Sequence, residues 1–433
     1  MRRHRTGPRQ STIVNSISAL ALGLAFLCTG TAWAQEKAPP ALTLEQAVET
    51  AFRASPRLRA ERARVSEVQG RLVGAEVYPF NPELEVLGAA RVGQGDTTGD
   101  FEVGVSQEIE LAGQRGKRVA TARAELDAAR SDRLRFERLL SAEVHLVFLD
   151  ALAAREMLAV ARAEAELATQ LLDLARRRLE AGAGTQLDVN VASAELGRAE
   201  QAVGVLAGEY AAARAALAEV LGLPAATLPL PEGSLEPGGG ALPPIDELLA
   251  SAESNRADLR ALQDIERAAR ARIELARAEA WPNLRVGVFA GREANVDTLV
   301  GAGISIPLPV FQRNQGAIAE AEATTIRVAA ERDAVRLSAV REVVTAYERH
   351  KAGTASLSSL QQRVLGTTEE NLELLRKAFE AGKTGWTDVL VMRRALFDAR
   401  RALVETSVLV RRARVRIDIA AGRMPLPAGG TTE

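Results

Sequence analysis

Hydrophobic positions along this chain recur with two different periods, and the switch between them happens twice. A helical period starts near Thr43, where Thr43-Leu44-Glu45-Gln46 has capping-box spacing, with side chains at both ends satisfying orphan amides. Pro56 predicts a break into two pieces, because proline removes a helical donor. The helix resumes to about Val77, and Pro79 and Pro82 stop it. The period then falls to two. Leu84, Val86, Gly88, Ala90 and Val92 alternate with a set containing Glu83, Glu85 and Arg91. Phe101, Val103, Val105, Ile109 and Leu111 alternate with Glu102, Ser106, Glu108 and Glu110, and Gln107 interrupts the apolar set. One greasy and one acidic face over about ten residues is the pattern expected of a transmembrane β-strand, with a soluble hairpin that buries one face as the alternative.

A long helix follows, predicted from about Gly116 to Glu180 and free of proline; roughly 65 residues would make a rod of about 100 Å. Leu140, Val144, Val147 and Ala151, continued by Leu167, Leu171 and Leu174, read as a coiled-coil seam. Arg176 to Arg178 read as a solvated face. A glycine-containing turn then leads to a return helix, Gln186 to Leu221.

The whole order is then written again about 200 residues later. Glu180-Ala181-Gly182 is matched by Glu380-Ala381-Gly382, Asp188-Val189 by Asp388-Val389, and Tyr78-Pro79 by Trp281-Pro282. A helical stretch starts after Pro243-Pro244 and runs to Trp281, followed by strands from Leu284 to Arg292 and Thr298 to Ile306, a rod from about Gly316 to Glu380, and a return helix from Thr387 to Ala421. Leu357, Leu360 and Val364, then Leu372, Leu375 and Phe379, continue the seam. The period exceeds that of a solenoid unit and predicts a duplicated half-protein. The expected organisation is a leader 1–34, a first unit 35–222 with hairpin 83–111 and turn 181–188, and a Pro/Gly linker 223–244. A second unit 245–422 with hairpin 284–308 and turn 381–388, and a flexible tail 423–433, complete it.

Composition sharpens this picture. Aromatic residues make up only 4 % and charged residues 26 %, a mix that favours long helices with thin seams over a compact core. Arg2, Arg3, Arg5 and Arg9, an apolar run Ile17 to Leu27, and Ala32-Trp33-Ala34 have the form of an export signal cleaved between Ala34 and Gln35. Cleavage would remove four arginines and the single cysteine, Cys28. That leaves 51 basic against 56 acidic residues, which gives no hint of nucleic-acid binding. Leu27 before Cys28 is too large for a lipidation signal.

No catalytic constellation stands out. Of three histidines, His4 lies in the leader, while His145 and His350 sit singly on helices without a second ligand at metal spacing. There is no phosphate-binding glycine loop and no expected cofactor. The turns are the better candidates. Gly182 or Gly184 suits the left-handed residue that ends a helix, and Thr185 with Asp188 has capping spacing. The second turn repeats these features at Gly382 and Asp388 and adds Trp386, expected to be exposed as a partner surface.

Two such units with Gly-x5-Asp-Val turns resemble the TolC-like outer-membrane efflux family. Asn81-Pro82-Glu83-Leu84, Ser106 to Leu111 with Gly113 to Gly116, Pro307-Leu308-Pro309-Val310-Phe311 and Arg313-Asn314-Gln315-Gly316 are similar to its CzcC branch, the outer-membrane partners of heavy-metal resistance pumps. The resemblance implies a mainly α fold with a small β part. In it, a homotrimer builds one twelve-stranded barrel in outer-membrane lipid, four strands from each protomer, joined to a hollow helical cylinder across the periplasm. It implies a periplasmic membrane-fusion adaptor at the tips, an inner-membrane RND-type pump reached through that adaptor, and passive efflux of heavy-metal cations rather than enzymatic activity. Gly182, Asp188, Gly382 and Asp388 are the implied docking and entrance positions. Asp388-Val389-Leu390-Val391 lacks the second acid of the TolC pattern, which leaves Asp388 as the single aperture-ring candidate. A duct for drugs or type I secreted polypeptides, and a fibrous periplasmic coiled-coil adaptor without a barrel, are the alternatives.

Overall fold

In the computed structural model, residues 41–92, 97–224, 230–236, 240–293, 297–424 and 426–427 are described. The expected leader, its Ala34–Gln35 cleavage site and Cys28 lie outside these residues, as do parts of both strand loops. The chain runs β1 (Ala41–Leu42), α1 (Leu44–Ala54), α2 (Pro56–Glu76), β2 (Glu83–Val92), β3 (Thr97–Ile109), α3 (Gln114–Glu180) and α4 (Gln186–Leu221). After β4 (Leu230–Pro231) come α5 (Ile245–Asn255), α6 (Ala257–Ala278), β5 (Leu284–Glu293), β6 (Asp297–Ser305) and α7 (Gln315–Ser359). A π-helical turn (Leu360–Leu365), α8 (Gly366–Glu380) and α9 (Trp386–Ala420) complete it. No helix among the described residues is long and apolar enough to cross a membrane.

Local chemistry accounts for most boundaries. Thr43 and Gln46 form a reciprocal capping box at α1. Pro56 occupies the first turn of α2, where its missing N–H costs nothing. The second helix pair breaks at Arg256 with no proline nearby. The cause is tertiary. Gly222 ends α4 with φ 71° and presses on Ala54 and Pro56, so that a Cβ there would sit 2.8 Å from the Ala54 carbonyl oxygen. Gly422, with φ 68°, lies as close to the second break, where a Cβ would sit 2.7 Å from the Asn255 carbonyl carbon and 2.8 Å from the Arg256 nitrogen. Each break is the notch that receives the end of a return helix.

The expected second rod is also interrupted. The seam fails at Leu360 and Val364, where the chain makes one wide π-helical turn, and resumes with Leu372 and Phe379 buried. An extra residue in a turn advances the register, which returns the apolar stripe to the interface. Two other expectations need adjustment. The segment 223–244 carries β4, which pairs in parallel with β1, and Leu235 is buried in the adjoining core. In the tail, Met424 is buried and Arg423 donates to the Ser251 hydroxyl at 3.0 Å and the Glu247 carboxylate at 2.8 Å.

The strands form one antiparallel sheet in the order β2-β3-β5-β6. Register decides what its faces are. Leu84 pairs with Val105, Val105 with Val288, and Val288 with Ala302, so the apolar sets of all four strands share one face. That face lies open: Leu84 is 69 %, Val300 75 % and Ile304 75 % exposed. The opposite face carries Glu83, Glu85, Glu102, Glu108 and Arg285. Among the described residues, the outer edges of β2 and β6 pair with no strand.

Side chains fasten the sheet to the helices. Tyr78 Oη donates to the Glu108 carbonyl at 2.9 Å and accepts from the Glu110 amide at 3.1 Å. Buried Gln114 donates to the Trp281 carbonyl and to Asn283 Oδ1, and Asn283 donates to the Glu108 carboxylate at 2.8 Å. Both long helices start alike, after a left-handed residue, Gly113 or Asn314. The following glutamine, Gln114 or Gln315, accepts from a backbone amide two residues back.

The core is divided into islands. One joins α1, α3 and α4 around Phe52, Phe148 and Leu221, another joins α5, α7 and α9 around Leu248, Val343 and Ile417, and a third lies at the turns. Glu137 of α3 is 0 % exposed, and neither carboxylate oxygen has a hydrogen-bond partner, although Arg133 stands 3.5 Å away. Burial raises its pKa above the ordinary 4.5, against the pull of Arg133 and Arg62. The fold therefore favours the protonated form. This contribution to stability is whole below the unfolded pKa and is lost as pH rises through the raised folded value. Glu137→Gln is expected to raise the unfolding midpoint at neutral pH with little gain in acid, a difference that thermal melts across pH will read.

Candidate functional site

The turn between α3 and α4 is built by backbone geometry. Ala183 N–H donates to the Arg178 carbonyl at 2.8 Å and Gly182 N–H to the Leu179 carbonyl at 3.0 Å, the paired bonds of a Schellman motif. Gly182 takes φ 70°, which a residue with a Cβ adopts only under strain. Thr185 then caps α4: its hydroxyl accepts from the Asp188 amide at 3.2 Å, and Asp188 Oδ2 accepts from the Thr185 amide at 3.0 Å. The second turn closes identically, from Lys383 to Ala378 and from Gly382 to Phe379, with Gly382 also at φ 70°. Its cap differs. Gly385 takes the N-cap position and offers no side chain, and Asp388 Oδ2 accepts from the Thr384 hydroxyl at 2.6 Å. Asp388 stays exposed. Each aspartate is thus engaged within its own turn.

Trp386 departs from expectation. It is 7 % exposed, with its ring centroid 5.1 Å from that of Phe379, and it packs with Leu171, Leu172, Ala175 and Val389. The two turns lie against each other, and the first residue of α9 faces that contact. Trp386 is a packing residue between turns, not an outward surface.

Arg178, read above as part of a solvated face, bridges the turns. Its guanidinium donates to the Ala183 carbonyl of its own turn at 2.8 Å and to the Phe379 carbonyl of the other, and it stacks 4.1 Å from the Phe379 ring centroid. The only signal in the sequence is a contrast, since Ala378 holds the matching place in the second turn. Farther from the turns, buried Arg393 of α9 donates to Glu195 of α4 and stands 4.0 Å from Glu164 of α3, which also accepts from Arg401. An open groove of about 500 Å³ between α3, α8 and α9 is lined by Glu166, Gln170, Glu369, Glu373, Arg376 and Arg400.

The two helical histidines are held below the ordinary 6.5, chiefly by burial. His145 Nδ1 lies 2.7 Å from the Ser141 carbonyl. Among the described residues, no three His, Cys, Asp or Glu side chains are grouped to hold a metal ion.

Residues 47–223 and again 248–423 match the outer membrane efflux protein family. The chain belongs to that family. It is 30 % identical over 424 residues to the cobalt-zinc-cadmium resistance protein CzcC of Cupriavidus metallidurans, covering 93 % of this chain and 98 % of the relative. It is 26 % identical over 406 residues to the nickel-cobalt-cadmium resistance protein NccC of Alcaligenes xylosoxydans xylosoxydans, covering 89 % and 87 %. Its fold matches that of CusC, solved in a study of folding and transmembrane channel formation, with a TM-score of 0.74 at 20 % identity, covering 88 % of this chain and 92 % of that one. The membership makes it an outer-membrane protein.

Losing Arg178 removes two charge-assisted hydrogen bonds and a cation–π contact, together worth about 3 kcal/mol. In a Trp281→Phe background, Arg178→Ala is expected to red-shift Trp386 emission and increase its quenching by acrylamide. Arg178→Lys should recover little, because an ammonium cannot fork between two carbonyls and stack at once.

Proposed function

We propose that this protein is the outer-membrane channel of a tripartite RND-type efflux assembly, a passive exit duct for heavy-metal cations of the cobalt, zinc and cadmium type. One observation carries the reading: the sheet exposes an apolar face, turns acids to the other, and leaves both edges open. In hydrocarbon each unpaired backbone group costs several kcal/mol, so a spanning sheet has to close on itself. Four strands cannot enclose a passage, since eight only just leave room for their own side chains. Three copies joined β6 to β2 would give twelve strands, a closed wall and a water-filled interior, which is the homotrimer proposed here.

The remaining parts fit this arrangement. The 67 residues of α3 span about 100 Å, a length suited to crossing the periplasm. The shared turn geometry at Gly182 and Gly382, and the shared helix starts at Gln114 and Gln315, support an origin by internal duplication. The paired turns, with Asp188 and Asp388 at their caps, are the proposed contact for a periplasmic membrane-fusion adaptor, through which the inner-membrane pump connects. Trp386 would serve that contact only by holding the turns together. By register the inner face holds the positions of Glu83, Glu85, Asp100, Glu102 and Glu108 against those of Arg91 and Arg285, an excess of acids that favours cations in a water-filled passage with low-dielectric walls. The names of the CzcC and NccC relatives support metal cargo.

Purified protein is expected to run as a heat-modifiable trimer and to open cation-selective conductances in planar bilayers. A soluble monomer inert in bilayers would defeat the proposal. Asp388→Ala should conduct as well as wild type but need more divalent cation for half-block; unchanged block would remove Asp388 from the aperture. Deleting the gene should sensitise cells to cobalt, zinc or cadmium.

A further inference from the structure

We propose that Phe289 sets the bore of the channel at mid-barrel, and that Gly301 keeps the bore open by giving the ring a place to lie against the wall. The inference rests on the barrel reading above. Phe289 belongs to β5 and shares the acidic, inward face of the sheet with Glu102 and Glu108. Its direct partners across the sheet are Gly104 on β3 and Gly301 on β6, so neither neighbour in its row has a side chain. One row away on the same face, Gly287 pairs with Gly303, and Gly291 lies in the row on the other side.

A side chain on a strand ordinarily stands roughly perpendicular to the sheet, which here means into the passage. Phe289 does not. A Cβ placed on Gly301 would overlap ring carbon Cζ, with Cε1 and Cε2 both at 2.9 Å. Strands are separated by about 4.8 Å, so a ring tip that reaches the Cα of the adjacent strand lies along the wall. Covering a glycine with a cross-strand aromatic also stabilises a sheet, which gives the flat position its driving force. In a threefold assembly the three rings sit at one height. Twelve strands fall between the eight that side chains fill and the sixteen that leave a wide channel, so three upright phenyl groups would take up much of the cross-section.

The test is single-channel conductance of purified trimers in planar bilayers. Gly301→Ala is expected to lift the ring off the wall and lower conductance roughly twofold, the share of the opening that three rings would occupy in a barrel of this size. Phe289→Ala/Gly301→Ala should restore the wild-type value, because no ring remains to be displaced. Gly303→Ala is the control: a Cβ there meets nothing within 4 Å, so conductance should not change. If Gly301→Ala fails to assemble, the double variant still decides, since it should recover both trimer and conductance. Wild-type pores with Gly301→Ala indistinguishable from them, or a double variant that stays impaired, would overturn the role of Phe289 and leave the barrel reading intact. Absence of any wild-type conductance would remove both.

Discussion

Backbone hydrogen bonding at two sheet edges is the constraint on which the architecture turns. Inside the sheet, β3 and β5 are satisfied on both sides, whereas β2 and β6 each present one bare edge. Those edges lie beside an exposed apolar face and, among the described residues, have no partner strand; in a bilayer water could not satisfy them either. In the barrel proposed above, sister copies would meet at these two edges. The central pairing deserves notice because β3 and β5 come from different halves of the chain, so each half holds only a hairpin. The two halves form one sheet by pairing with each other.

Below the sheet the problem is different. Helices as long as α3 bury only a stripe, and small alanine side chains let neighbours approach closely at modest apolar gain. Stability is gathered in three islands, and charged groups occupy the intervals. Glu137 and Arg393 lie in these intervals, where each loses solvent without a full set of partners. Such groups add little stability, and they penalise helices that slide out of register.

Much of this was legible in the residues. Pro56, the capping box at Thr43 and the glycines at 182 and 382 act locally, so their effects follow from their own backbones. The alternation in the strands announced two faces, and the observed register put all four apolar sets together. What escaped the sequence was caused from a distance. Arg256 breaks a helix because Gly422 presses there, Trp386 is buried because a second turn covers it, and Arg178 is engaged because Phe379 lies within reach. The π-helical turn at Leu360–Leu365 corrects a mismatch between two stripes that no single helix reveals.

The notches at Ser55 and Arg256 also bear on how the chain acquires its shape. Each is filled only when a glycine about 170 residues downstream arrives, Gly222 at Ala54 and Gly422 at Asn255. Contacts of such separation must be closed against chain entropy before they return any energy, which slows folding. Local helices can form early, but neither half is locked until its last turn has been made. A chain emerging end first can close each hairpin early, yet the helices of each half stay unfastened until synthesis of that half is finished.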